Sequence, residues 1–408
     1  AQAASVRSSH GTGRRELTHL AAFTIDDAHT LDRDDALSVA IAQGQNDEYL
    51  VGIHITDAGS LVPAGSPLDR EADRRMSTLY LPERTINMLP EDLTRGAGSL
   101  DPDQHRAAIS LIIRLDATGA VLDHEITPSS LRSRAALSYE EADQALHHES
   151  DPWHDTLSNL QLLAEARRRI REEAGAINLE QPEMSVKVTK SGEITIRVLD
   201  RSSPSRRLIG EMMILYNNLL GELCRTEQLP SVYRVQDSPN LSDLPQHALK
   251  ESHNKGEDML RRYMVGRRLR PAELDIVPGR HGSIGVSVYV QATSPLRRYP
   301  DLIIQRQISH FLASGKPLYS VDDVMSVAQR AEVQLRELGR IEGQRKRYWF
   351  LKFLQSSQLT SSGDKTHMPA VVLENDGRRK ALLELVEYPF RTRVEVPRIC
   401  EPGQRVTL

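Results

Sequence analysis

The chain has 408 residues, 39% of them hydrophobic and 26% charged, and a formal net charge of −4. This is the profile of a soluble globular protein with one large domain and a small one, or with two to three of average size. No window approaches the ~18 uninterrupted apolar residues of a membrane span, the polar start AQAASVRSSHGTG lacks the apolar core of a signal peptide, and Cys224 and Cys400 stand in no paired-ligand spacing. The cysteine usage points to a reduced, cytoplasmic setting.

Residues 1–16 are small, polar and Gly/Ser-containing, as in a linker or tail. Ala21 to Ile25 then reads as a short apolar strand and Ala36 to Ile41 as another. Between them, Asp26, Asp27, Asp32, Asp34 and Asp35 fall within ten residues. Acidic runs are usually solvated loop faces, but such a run seldom sits between two apolar strands, where a metal loop at a sheet edge does. Each ionised carboxylate disfavours the next, and hard oxygen ligands suit magnesium or manganese rather than zinc or copper. A set of this kind holds two metal ions about 4 Å apart around a phosphate during in-line hydrolysis. An extended Asp32–Asp35 places Asp32 and Asp34 on one side and Asp35 on the other, with Asp26 closing the site from the opposite end.

Strands are expected at Glu48 to Thr56, Arg106 to Asp116 and Ala120 to Thr127, the last two joined at Ala117-Thr118-Gly119 as a hairpin. A helix is expected from Ser158, as N-cap, to Gly175. A second hairpin pairs Met184–Val188 with Ile194–Leu199, a helix covers about Ser205 to Thr226, and a strand runs from Ile284 to Val290. Pro300 suits the first turn of a helix reaching Gly315, and Asp322 and Asp323 suit the first turn of a long helix from Ser320 to about Gln355. From Met368 to Leu408, short β-rich runs are divided by turn signals. Strands and helices without strict alternation argue for α+β.

The acidic loop and four ordered blocks after it, Gly52–Asp57, Gly65–Leu93, Ser99–Val121 and Tyr289–Ile308, resemble the catalytic domain of the ribonuclease II / ribonuclease R (RNB) family. The resemblance spans roughly residues 20 to 355. It implies an RNB catalytic domain over residues 17–358, a mixed sheet with surrounding helices enclosing an RNA channel. A short OB-type β-barrel that binds RNA would follow over 365–408, where only Tyr388 and Phe390 are candidates for stacking on bases. The implied activity is a metal-dependent, hydrolytic 3′-to-5′ exoribonuclease that degrades single-stranded RNA processively to 5′-nucleoside monophosphates, with Mg2+ or a substituting Mn2+, as a monomer. The family usually carries cold-shock-type RNA-binding domains ahead of the catalytic one, so such a domain is expected upstream of Ala1.

Residue by residue, the resemblance assigns Asp26 and Asp35 to metal binding. Asp32 and Asp34 complete the metal site and place a second metal or the attacking water, and Asp27 has no counterpart. Arg297 matches the arginine that reaches the scissile phosphate, where a fixed guanidinium is typically worth ~3 kcal/mol of barrier; its bland alternative is a surface ion pair. Tyr80 matches the tyrosine that stacks on the terminal base, against a core tyrosine. Glu211 matches a glutamate near the 3′-terminal ribose, able to prefer RNA over DNA through the hydroxyls. Arg298 joins the RNA-binding set, and Glu342 matches an RNA-contacting glutamate more loosely, against a surface residue of the long helix.

Some positions depart from the family pattern. Leu179 stands where an aromatic clamps the last bases against the tyrosine, Ala292 replaces an aromatic before Thr-Ser-Pro, and Gln236 replaces a histidine after Tyr-Arg-Val. A negative total charge is unusual for an RNA enzyme, but positive charge is concentrated in Arg167–Arg171, Arg261–Arg270, Arg297-Arg298 and Arg340–Lys352, with no Lys before Lys187. Two other readings stand beside the exoribonuclease: an inactive relative that binds RNA or protein, which loss of an aspartate would favour, and a nuclease for DNA or another phosphodiester.

Overall fold

The computed structural model describes residues 13–41, 48–179, 181–245, 254–357, 367–377, 380–396 and 400–408. Its central sheet is built from β1 (Arg15–Glu16), β2 (Ala22–Asp26), β3 (Asp35–Ile41), β4 (Glu48–Thr56), β7 (His105–Asp116) and β8 (Val121–Ser138). In β4, Val51, Ile53 and Ile55 alternate with Gly52, His54 and Thr56, and all six are buried. A strand covered on both faces belongs at the centre of a layered structure, and β4 lies antiparallel to β3 on one side and β7 on the other. The long β8 bonds three strands, antiparallel to β7 over its first part, parallel to β1 at Ser129 and Ser130, and parallel to β2 near its end. The order β1-β8-β2-β3-β4-β7 therefore closes through a β7–β8 pairing.

On one face, Phe23, Ile53 and Ile113 pack against Leu157, Leu160, Met212 and Tyr216. These side chains come from the helices His154–Glu173 and Pro204–Thr226. In chain order the helices used below are α1 (Pro67–Arg75), α2 (Tyr139–His147), α3 (His154–Glu173), α4 (Pro204–Thr226), α5 (Lys255–Gly266), α6 (Tyr299–Ser314) and α7 (Val321–Ser357). A second apolar cluster joins Met76, Met88 and Leu93 to Leu296, Leu302 and Ile303 of the α6 region and Val327 and Ala331 of α7. Burying side chains of this size is worth ~1.5–3 kcal/mol each.

Strands β3, β4, β7 and β8 also share a buried polar ladder. Ser38 Oγ lies 3.0 Å from His54 Nε2, His54 Nδ1 lies 2.7 Å from Ser110 Oγ, and Ser110 Oγ lies 2.6 Å from Ser129 Oγ. A Cβ at Gly52 would fall 2.4 Å from Ser38 Oγ, so glycine makes room for the ladder. Burial pushes the His54 imidazole down from 6.5 to about 3. A depressed folded value gives stability that is complete above 6.5 and is lost as the pH falls below it, because the unfolded chain then takes up a proton that the folded chain refuses. Denaturant titrations from about pH 7 to about pH 5 should show stability falling more steeply for the native chain than for His54→Asn, by roughly 1.4 kcal/mol per pH unit at most. Equal slopes would show that His54 is not held neutral.

The C-terminal segment forms a four-stranded antiparallel sheet in the order β15-β14-β13-β16, from β13 (Pro369–Asn375), β14 (Lys380–Leu385), β15 (Arg391–Glu395) and β16 (Arg405–Thr407). It is consistent with the OB-type fold expected. Its core is not its own: Phe350 of α7 is fully buried among Ala370, Leu383 and Phe390, and Met184 and Ile196 of the hairpin β9 (Glu183–Val188) and β10 (Ile194–Leu199) pack on the same cluster. Tyr388 and Phe390 both lie against the Phe350 ring, at centroid distances of 5.2 and 4.6 Å. Phe390 is a buried core aromatic, whereas Tyr388 is only half-buried and lines a cavity with Arg261 and Arg262.

Three further sequence expectations change. Arg15 and Glu16 pair with Ser129 and Ser130 and Leu17 is buried, so ordered structure begins inside the segment assigned to the tail. Residues 1–12 and the boundary at 358–365 lie outside the described residues. α3 begins at His154, four residues before Ser158, because Trp153 packs on Phe23 at 4.8 Å and His154 Nδ1 bonds the Ala145 carbonyl at 3.0 Å. The run Ile284–Val290 is no regular strand. Its backbone groups go to scattered partners, with Val288 O accepting from Asn218 Nδ2 and Tyr289 O accepting from the Arg234 N–H.

Candidate active site

The acidic loop leaves β2 at Asp26 and re-enters the sheet at Asp35, which pairs with Ile55 of β4. The loop is pinned from three sides. The Asp34 carbonyl accepts from the Thr56 N–H at 2.8 Å. The Arg33 N–H donates to Ser99 Oγ at 3.1 Å, its guanidinium meets Asp101 at 2.7 Å, and its carbonyl accepts from the Leu100 N–H. At the other end Arg206 of α4 pairs with Asp27 at 2.5 Å. The carboxylates of Asp26, Asp32 and Asp35 are half-buried and Asp34 is buried.

Burial lifts the whole set. It pushes Asp26 up to about 7, with Arg33 opposing and Asp32 and Asp27 adding to the rise. It likewise pushes Asp34 to about 7 against the pull of Arg297. Asp35 is raised well above the ordinary range by burial and then by Asp26 and Asp34, and Asp32 is raised by burial against backbone hydrogen bonding and Arg297. Carboxylates that hinder one another's ionisation in this way are stabilised together by a cation, and their hard oxygens fit a divalent ion of the magnesium type. As placed they approach without closing: among the described residues, no three acidic, His or Cys side chains form a ready metal cage.

Arg297 is brought to this set from the far end of the sequence. Its Nε lies 3.8 Å from Asp34 Oδ2, its side chain is 38% exposed, and the neighbouring Leu296 N–H donates to Asp34 Oδ1 at 3.3 Å. The same segment holds Tyr80: the Thr78 N–H and Ser77 Oγ both donate to the Arg297 carbonyl at 3.0 Å. Tyr80 lies in the hairpin β5 (Leu79–Leu81) and β6 (Arg84–Ile86) and is 41% exposed. Burial pushes its hydroxyl up to about 12, against the pull of Arg297 and with help from Asp32 and Asp34. Tyr80, Asp32, Asn87, Arg95 and Lys187 line one cleft of 510 Å³. Tyr80 is thus neither a core residue nor remote from the acids.

The other expected RNA contacts sit differently. Glu211 is 6% exposed and both carboxylate oxygens are taken by Arg171, one at 2.8 Å from Nε, so the group is sealed into an ion pair rather than presented to a ribose. Arg298 lies bidentate on Asp301, at 2.9 and 2.6 Å, and closes the start of α6 instead of facing a cleft. Leu179 packs with Leu244, Val265 and Ile177 in a separate apolar cluster and does not line the Tyr80 cleft. Glu342 accepts from the Tyr80 N–H at 2.7 Å, so its partner is the protein backbone.

Tyr139 and Arg206 were missed by sequence reasoning. Ser138 pairs with Asp26 at the end of β8, which sets Tyr139 beside the acids, and Asp35 and Asp26 help burial raise its hydroxyl. The Arg206 guanidinium lies 3.8 Å over the Tyr139 ring. The capping box of Ser138 and Glu141 was the available signal, since it marks a helix starting where a strand ends.

The family model described as RNB domain matches residues 14–314. The chain belongs to the RNB family. It is 35% identical over 403 residues to an uncharacterized ribonuclease of Synechocystis sp., covering 97% of this chain and 57% of that protein. It is 31% identical over 387 residues to the chloroplastic/mitochondrial ribonuclease II of Arabidopsis thaliana, covering 93% and 46%. The chain thus spans about half the length of the curated relatives it matches. Among solved structures, Mycoplasma genitalium RNase R in complex with ribose-methylated single-stranded RNA aligns with a TM-score of 0.81 at 21% identity, over 96% of this chain and 65% of that one. The yeast pseudonuclease Ssd1 aligns with 0.75 at 18%, over 94% and 50%. At these identities the structural matches establish the RNB fold alone.

Proposed function

We propose that this RNB chain hydrolyses single-stranded RNA processively from its 3′ end to 5′-nucleoside monophosphates in the cytoplasm. Asp26, Asp32, Asp34 and Asp35 would hold Mg2+, or Mn2+ in its place, which when bound neutralises phosphate charge and activates the attacking water. The observation that carries the reading is the convergence of Arg297 and Tyr80 on the acidic loop, Arg297 beside Asp34 and Tyr80 in one cleft with Asp32, held by hydrogen bonds from Ser77 and Thr78 to the Arg297 carbonyl. Arg297 is placed to stabilise charge developing on the scissile phosphate. The half-exposed Tyr80 ring offers a face on which the terminal base stacks, a contact worth ~1–3 kcal/mol. Asp34, buried against the Leu296 N–H, keeps a fixed orientation toward the phosphate.

The pseudonuclease neighbour shows that the RNB fold alone does not decide catalysis, and the intact acidic set is what favours an enzyme here. Incubating the chain with matched 5′-labelled RNA and DNA oligomers, with Mg2+ and with EDTA, tests the proposal. The expected result is shortening of the RNA from its 3′ end to a short end product with few intermediates, only with Mg2+, while the DNA stays intact. Internal cuts, equal cleavage of DNA, or metal-independent cleavage would overturn it.

A further inference from the structure

Glu342 stands on α7, far in sequence from the hairpin that carries Tyr80, yet its Oε1 accepts the Tyr80 N–H at 2.7 Å. The hairpin register is Leu79↔Ile86, Tyr80↔Thr85 and Leu81↔Arg84. In an antiparallel ladder the hydrogen-bonded and non-hydrogen-bonded pairs alternate, so an N–H that leaves the ladder needs another acceptor. Glu342 supplies it. One and two turns further along α7, Arg345 and Trp349 grip Glu83 in the hairpin turn, the guanidinium Nε at 2.9 Å and the indole Nε1 at 2.9 Å. At the opposite end, Thr78 and Ser77 bond the Arg297 carbonyl. The hairpin is two strands of three residues each, too small to hold its own shape, so these contacts fix where the Tyr80 ring stands relative to Arg297.

We propose that Glu342 is a positioning residue for Tyr80: its carboxylate holds the Tyr80 backbone in register so that the ring presents its face to the terminal base, and it does not itself contact RNA. The inference rests on the reading of Tyr80 as a base-stacking residue. It departs from the RNA-contact role that the family resemblance gives Glu342. Through Phe350, two turns beyond, α7 also forms the core of the C-terminal sheet, so the hairpin and that sheet share one rigid support.

Two measurements on the full chain test this. Amide hydrogen exchange is followed in peptides covering Leu79–Leu81, without RNA, in the native chain, Glu342→Ala and Glu342→Gln, with peptides from β4 reporting that the fold is intact. The alanine variant should exchange faster at Tyr80 by about tenfold, the worth of one hydrogen bond, and the glutamine variant, which keeps an acceptor oxygen, should restore protection. Binding and end-product length on a single-stranded RNA oligomer are then compared in a double-mutant cycle with Tyr80→Ala. Glu342→Ala alone should raise KM and lengthen the end product with kcat nearly unchanged, and should add nothing when Tyr80 is already alanine. Unchanged exchange at Tyr80, or an equal loss of binding with and without the tyrosine ring, would overturn the proposal. Should the native chain fail to bind or cut RNA, the functional reading falls while the exchange measurement still decides the positioning role.

Discussion

Asp34→Asn is expected to lower RNA hydrolysis by ~10³-fold or more while leaving the fold and RNA binding largely intact. The asparagine keeps the volume and the acceptor oxygen that meets the Leu296 N–H, and it removes a charge that burial already disfavours. Stability should therefore hold or rise, which separates this loss of activity from unfolding. What the variant loses is one negative ligand in the acidic set and the charge facing Arg297 at 3.8 Å. Single-turnover rates at saturating Mg2+, with binding measured on the same oligomer, check the result. Near-normal turnover would remove Asp34 from the catalytic set.

Glu211→Ala is expected to act on stability, not on sugar choice. Arg171 donates to both Glu211 oxygens and also to the Ile284 carbonyl at 2.7 Å, and both side chains are buried. Removing one partner of such a pair leaves a buried, uncompensated charge and typically costs about 3–5 kcal/mol. Denaturant titration should show a loss of this size. Cleavage of an all-ribose oligomer and of one ending in deoxyribose should fall by the same factor, because the carboxylate faces Arg171 rather than the terminal hydroxyls. A selective loss on the all-ribose oligomer with unchanged stability would return Glu211 to the ribose-reading role.

Where one strand or loop carries its own signal, the chain was legible. The alternation in residues 48–56 marked β4 to the residue, the hairpin at 183–199 was placed within a residue, and Pro300 and Gly315 bracketed α6. The acidic loop was legible because five aspartates held between apolar strands repel one another unless a cation joins them, and the ordered blocks around it pointed to the RNB family. Reading failed where long-range partners decide. Ile284–Val290 has the composition of a strand, but its backbone groups go to Asn218, Arg234 and other scattered partners rather than to one neighbouring strand. Phe390 is an exposed-looking aromatic of a short barrel until Phe350 arrives from α7 and buries it.

The sequence by itself determined the chemistry of this protein: a cluster of carboxylates suited to a hard cation, an arginine segment far downstream, and strands whose periodicity builds an α+β fold. Local spacing carries those properties, since ligand type and strand or helix period are set within a few residues. Only the tertiary structure decided the assignment of each polar side chain. Glu211, Arg298 and Glu342 have the same composition-level appearance as Arg297, yet three of them are consumed by Arg171, Asp301 and the Tyr80 backbone, and one stays half-exposed beside Asp34. A charged group stays open to substrate only where its protein partners leave part of it exposed, as Asp34 leaves Arg297. That depends on which distant element folds against it, and no window of the sequence contains both.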